Sequence, residues 1–113
     1  MAYRTNARLG VEVLRFQGDL NAAEMIRMKD RLSRLMNKNQ KRMVLDLGSA
    51  RHVDIVGLGI LVDRLMKVRA RHGEIKLCNI RPEVAQTFER VGVRNLMQSY
   101  KTEEEALQSF ASA

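Results

Sequence analysis

Met43-Val44-Leu45-Asp46-Leu47-Gly48-Ser49-Ala50-Arg51-His52-Val53-Asp54-Ile55-Val56-Gly57-Leu58-Gly59 decides the fold, because it passes from strand to loop to helix within seventeen residues. Met43–Leu47 is a nearly continuous apolar run with one carboxylate near its end, the pattern of a central strand buried on both faces. Asp54 stands where a helix needs a side-chain cap. From Gly57 to about Arg71, Leu58, Leu61, Val62, Leu65 and Met66 recur at helical spacing and mark a buried stripe. Arg69, Arg71 and His72 fall in the last turn, where cations suit the helix dipole, and Gly73 is the expected residue just past the end.

The same alternation extends in both directions. Upstream, Ala2–Asn6 and Val11–Phe16 flank the turn signal at Gly10 and read as an antiparallel pair of strands. A helix follows from Ala22 to Asn37, with Asn21 as its cap, Glu24 completing a capping-box-like start, and Met25, Met28, Leu32 and Leu35/Met36 on one face. Downstream, Ile75–Cys78 is a strand. Pro82 opens a third helix whose inner stripe is Val84, Phe88 and Val91, and Gly92 stops it. Leu96–Tyr100 is a last short strand. Thr102 and Glu105 form a capping box before a final helix through Phe110, and Ala111-Ser112-Ala113 is expected to fray. The order is β-β-α-β-α-β-α-β-α: an α/β protein with a mixed, mostly parallel sheet and right-handed crossovers. Residues 1–113 read as a single domain, which the length suits.

Composition narrows the function. Apolar residues at 45% are enough for one core, and aromatics at 4% make it aliphatic. No apolar run reaches the roughly 18 residues that span a bilayer, and Met1–Asn6 lacks the apolar core of a secretory signal. The lone Cys78 reads as a small buried hydrophobe in a reducing compartment, so a cytoplasmic location with no membrane insertion is expected. The net charge is +7, yet the basic residues are scattered, 11 before position 57 and 9 after it. With no Lys/Arg run longer than two and no interleaved aromatics, nucleic-acid binding is not expected. The charge reads as a solvated face or as steering toward an acidic protein, with Arg64, Lys67 and Arg71 as candidate charges.

In open α/β sheets, sites form where strands end and helices begin. The stretch there resembles the STAS domain, the fold of anti-sigma factor antagonists that also occurs in sulfate-transporter tails. Phe16-Gln17-Gly18-Asp19-Leu20, Val44-Leu45-Asp46-Leu47, Val53-Asp54, Gly57-Leu58-Gly59, His72–Cys78, Pro82-Glu83-Val84, Val91-Gly92-Val93 and Glu103–Leu107 carry the resemblance in order along nearly the whole chain. In that family the motif before the glycine usually reads Asp-Ser-Ser-Gly. The second serine accepts a phosphoryl group from a partner with an ATPase-type kinase fold, and phosphorylation releases the antagonist. Here Ile55 and Val56 replace both serines, and valine has no hydroxyl to phosphorylate. The resemblance implies a non-catalytic binding module that docks on a protein partner, an anti-sigma factor or serine kinase of the ATPase-kinase type. Asp54, Ile55, Val56, Gly57 and Leu58 are the expected contact residues, with Val56 at the phosphoacceptor position. If Ile55 and Val56 are instead core residues, they will be buried.

Other chemistry finds no constellation, and neither enzyme activity nor a cofactor is expected. Asp46 and Asp54 could be imagined around Mg²⁺, but a receiver-type site needs a further acidic pair and a Lys at a strand end, whereas Asp19 is alone and Lys76 lies inside a strand. Asp54 as a cap and Asp46 as a loop brace account for them. His52 and His72 lack partners at ligand spacing, so no metal site is expected. Two other roles fit the same fold: a subunit of a bacterial lipid ABC transport complex, or a scaffold in a multi-STAS stress-signalling assembly.

Overall fold

The computed structural model describes residues 3–8 and 10–111. Among these residues five strands form one sheet in sequential order: β1 (Tyr3–Arg8), β2 (Val11–Phe16), β3 (Arg42–Asp46), β4 (Glu74–Cys78) and β5 (Gln98–Tyr100). Only β1 runs antiparallel to its neighbour, pairing Tyr3 with Phe16 and Arg8 with Val11. The other pairs are parallel, with Val13 against Val44 and Leu45 against Leu77. The α-helices of the described residues are α1 (Ala22–Asn37), α2 (Ile55–Ala70), α3 (Pro82–Val91) and α4 (Glu103–Ala111). The expected order and mixed sheet are therefore the observed ones. Of the segments expected at the termini, Ala2 and Ser112-Ala113 lie outside the described residues.

The uneven alternation in β2 has a simple cause: both faces of the sheet are covered. Leu14 and Phe16 join Met43, Leu45, Leu47, Ile75 and Leu77 beneath α1, α2 and α3. Val11 and Val13 point the other way and join Val44 and Cys78 beneath Ala106, Leu107 and Phe110 of α4. Arg15 shares that second face, and its guanidinium grips the Glu103 carboxylate at 2.9–3.0 Å, tying the first turn of α4 to the sheet.

The three longer helices end alike. Asn39, His72 and Gly92 each take a left-handed conformation just past the helix. The next amide donates back across the turn in each case: Gln40 to Leu35, Gly73 to Val68 and Val93 to Phe88. That closes orphan carbonyls in the manner of a Schellman motif. The expectation that Gly73 fills the left-handed position is thus corrected. His72 fills it, at φ 65°. Gly73 is required for another reason: a Cβ there would lie 2.5 Å from the Lys41 carbonyl oxygen.

Other expectations shift by small amounts. Helix α2 begins at Ile55, two residues early, because Asp54 is its cap. Strand β5 starts at Gln98, because Arg94–Leu96 close a 3-10 turn. Met66 and Val91 were expected on buried stripes and are exposed. The inner line of α2 is Leu58-Leu61-Leu65-Val68, and Met66 falls on its flank. Val91 ends α3 where the chain turns away at Gly92. Arg64 was counted among the surface charges of α2 but is only 5% exposed. It lies against α1, donating to Ser33 Oγ at 3.1 Å and to Asp63 at 2.8 Å. Beside that guanidinium the Asp63 carboxyl titrates below the usual range.

Candidate functional site

The loop between β3 and α2 is held at several points by side chains distant in sequence. Asp46 braces its start: one carboxylate oxygen accepts from the Gly48 amide at 2.8 Å and the other from Asn79 Nδ2 at 3.0 Å. Arg81 Nε donates to the Gly48 carbonyl at 2.8 Å. Asp19 holds the middle, with Oδ1 accepting from the Arg51 and His52 amides at 2.9 and 3.2 Å. Those bonds favour the ionised form. The Arg51 amide is the largest cause, partly offset by desolvation, and the carboxyl titrates below the ordinary aspartate range. Finally, Leu20 N donates to His52 O and Asp54 N to Leu20 O, both at 3.0 Å, forming a one-residue parallel bridge between Leu20 and Val53.

That bridge delivers Asp54 to its role. Its backbone is extended (φ −105°, ψ 161°), and Oδ1 accepts from the Gly57 amide at 2.7 Å. Such a cap satisfies one of the orphan donors of the first turn. Gly57 presses against the chain entering α1: a Cβ there would overlap the Leu20 carbonyl oxygen and lie 2.7 Å from its carbon. Only glycine permits this approach. Leu58, 2% exposed, anchors the turn in the core.

Ile55 and Val56 occupy the outer side of the same turn. They are 66% and 58% exposed, so neither is a core residue. Of the five residues expected at a contact surface, Asp54, Ile55 and Val56 are accessible, while Gly57 and Leu58 support them from beneath. Arg51 and His52 are exposed in the loop just before.

Asp46 and Asp54 are each committed to separate hydrogen bonds, Asp46 with Gly48 and Asn79 and Asp54 with Gly57. Among the described residues no three His, Cys, Asp or Glu side chains stand together for a metal ion. Burial, then the Asp46 and Glu103 carboxylates, push the Cys78 thiol up to about 12, so it stays protonated at neutral pH. No helix among the described residues is long and apolar enough to cross a membrane. Asp19, Asn79 and Arg81 were missed as parts of the loop. Their bonds reach across 32 or 33 positions, and no local period announces them.

The STAS domain family model matches residues 2–106. BtrV of Bordetella bronchiseptica is 28% identical over 104 residues, 92% of this chain and 90% of that protein. The anti-sigma F factor antagonist of Paenibacillus polymyxa is 28% identical over 101 residues, 87% of this chain and 85% of the other. The solved structure of the anti-sigma factor antagonist SpoIIAA in its unphosphorylated form shares the fold. Its TM-score is 0.80 at 21% identity, covering 99% of this chain and 98% of that one.

Proposed function

The chain belongs to the STAS domain family, and from that premise we propose that it is a non-catalytic regulator of the anti-sigma factor antagonist type that docks through the first turn of α2. One observation carries this reading: Ile55 and Val56 stand well exposed on a turn that the Asp54 cap and the close approach of Gly57 to Leu20 hold in place. Two β-branched apolar side chains held in water at a helix start do nothing for the fold. Desolvating them against a partner contributes on the order of 25 cal/mol per Å² of apolar surface removed from water. The partner proposed is an anti-sigma factor or serine kinase of the ATPase-kinase type. The basic chain, with Arg51 and His52 beside the apolar pair, favours an acidic rim on it.

In this reading Val56 takes the place of the phosphoacceptor serine. A phosphoserine would add roughly −1.5 to −2 charges beside an apolar contact and expel the partner. Valine cannot be so modified, so the protein is permanently competent to bind. Capture of partners from the native cell by wild-type and Val56→Asp proteins, quantified by mass spectrometry, tests the surface. A partner of ATPase fold held by the wild type and lost by the variant supports it. Equal capture moves docking elsewhere and favours the transport-subunit or scaffold role. Val56→Ser supplies a hydroxyl and should become a substrate for the captured kinase, read by phosphopeptide mass.

A further inference from the structure

The opposite end of the sheet carries a different feature. On the α4 face, an open cleft of about 460 Å³ lies between the starts of β3, β4 and β5 and Phe110 of α4. Lys41, Arg42, Glu74, Lys76, Gln98 and Phe110 line it. Its volume falls in the range of small-molecule sites, roughly 300–1,000 Å³.

Lys76 is the unusual member. It sits mid-strand in β4, 7% exposed, although lysine is almost never buried unless paired. Its ammonium donates to Ser109 Oγ at 2.8 Å and lies 4.1 Å from the centre of the Phe110 ring and 5.6 Å from that of Tyr100. A hydroxyl and two aromatic faces hold the cation in place, but none of them carries an opposite charge. The one carboxylate among the described lining residues, Glu74, is taken up: Arg69 Nε donates to it at 3.0 Å, Gln98 Nε2 at 3.1 Å and the Ile75 amide at 3.2 Å. On the rim, Lys41 and Arg42 are exposed and make no salt bridge among the described residues. Among the described residues the cleft therefore has a neutralised acid, three cations without a counter-charge and one aromatic wall.

We propose that this cleft binds a small anionic ligand bearing a phosphate or carboxylate, with Lys76, Lys41 and Arg42 as its charge partners and Phe110 against its apolar part. A guanidinium on the rim suits bidentate capture of either group. Lys76, already desolvated and fixed, loses little on binding. The site lies at the other end of α2 from Ile55 and Val56, so it does not depend on the docking surface.

The test is an amide-resolved NMR titration of the whole chain with sodium pyrophosphate, and separately with citrate, at constant ionic strength against sodium chloride. Saturable shifts centred on Gly73, Glu74, Lys76, Gln98 and Phe110 are expected with at least one probe, and which probe responds names the anionic group. The exposed double variant Lys41→Gln/Arg42→Gln should keep the fold and weaken binding roughly tenfold or more. Lys76→Met should abolish it; if that variant does not fold, the rim variant decides alone. Shifts that match the chloride control, spread over the basic surface, or persist unchanged in the rim variant would overturn the proposal.

Discussion

Helices α1 and α2 are each 16 residues long, both begin at an Asx cap and both end in a left-handed turn, but their first turns obey different rules. In α1 the cap Asn21 accepts from the Glu24 amide at 2.9 Å, and Ala22, Ala23 and Glu24 follow. These are strong helix formers, with an acid near the positive end of the dipole. The capping box is only half made, since the Glu24 carboxylate turns to Arg27 at 2.7 Å. In α2 the cap is as good, but Ile55, Val56 and Gly57 follow, with no acid and three poor helix formers. Two of them are exposed and the third is jammed against backbone. A turn built against its own propensity, and steadied by Asp54, Asp19 and Asp46, is the kind of local conflict that a functional surface produces.

The largest expected effect comes from asking the first turn of α2 to accept an alanine of the kind that opens α1. In an ordinary helix, Gly→Ala stabilises by about 0.4–1 kcal/mol. Gly57→Ala should do the reverse, costing about 1–3 kcal/mol through overlap with the Leu20 carbonyl. For a chain of this size that is a fall of several degrees in Tm, on the order of 4–8 °C per kcal/mol. Next come the caps. Asn21→Ala and Asp54→Ala should each cost about 1 kcal/mol in chemical denaturation. If only the first does, the two helix starts are less alike than their geometry. Gly59, on the opposite, exposed side of α2 from Gly57, has nothing within 4 Å of an added Cβ. Gly59→Ala should therefore gain about 0.4–1 kcal/mol, opposite in sign to its neighbour.

The contrast between the two helices also separates what the sequence reveals from what it hides. The span of α1, its cap and its Met25-Met28-Leu32 stripe follow from period and composition, because a helix packed by one face onto a sheet is locally determined. The start of α2 is not. Whether Ile55 and Val56 are core or contact cannot be decided by periodicity, since β-branched residues beside a strand end fit either place. Their exposure is set by Gly57, which lets the helix sink onto Leu20 and turns its neighbours outward. Arg64 shows the converse. A charge at the edge of an apolar stripe reads as solvated, but Ser33 on the facing helix gives its buried guanidinium a half-buried partner. Lys76 was legible as a strand residue, but its aromatic and hydroxyl neighbours come from β5 and α4 and need the fold to assemble them.

A smaller effect is expected from pH. The Asp19 carboxyl, which holds the Arg51 and His52 amides, titrates below its ordinary value. Its contribution to stability is fully present above the unfolded value of about 3.9 and is lost as pH falls through the lower folded value. Acid unfolding of Asp19→Asn should lack that component, and amide exchange at Arg51 and His52 should quicken at neutral pH. The smallest effect on stability is expected at the exposed pair itself. Val56→Asp should leave the unfolding free energy within about 0.5 kcal/mol, with any gain coming from a carboxylate at the helix N-terminus.

Thermal insensitivity combined with functional sensitivity at Val56 is the core of the proposed role, and the affinity of the wild-type and Val56→Asp proteins for the same purified partner measures it most directly. Calorimetric titration with the proposed ATPase-fold partner, once captured from the native cell, run alongside a melting curve for each protein, gives both quantities. The expected result is a Kd raised roughly a hundredfold or more, about 2.7 kcal/mol, with the melting temperature unchanged within a few degrees. An unchanged Kd in a folded variant would contradict docking through the first turn of α2. Collapse of the fold would contradict the exposure of Val56 on which that docking rests.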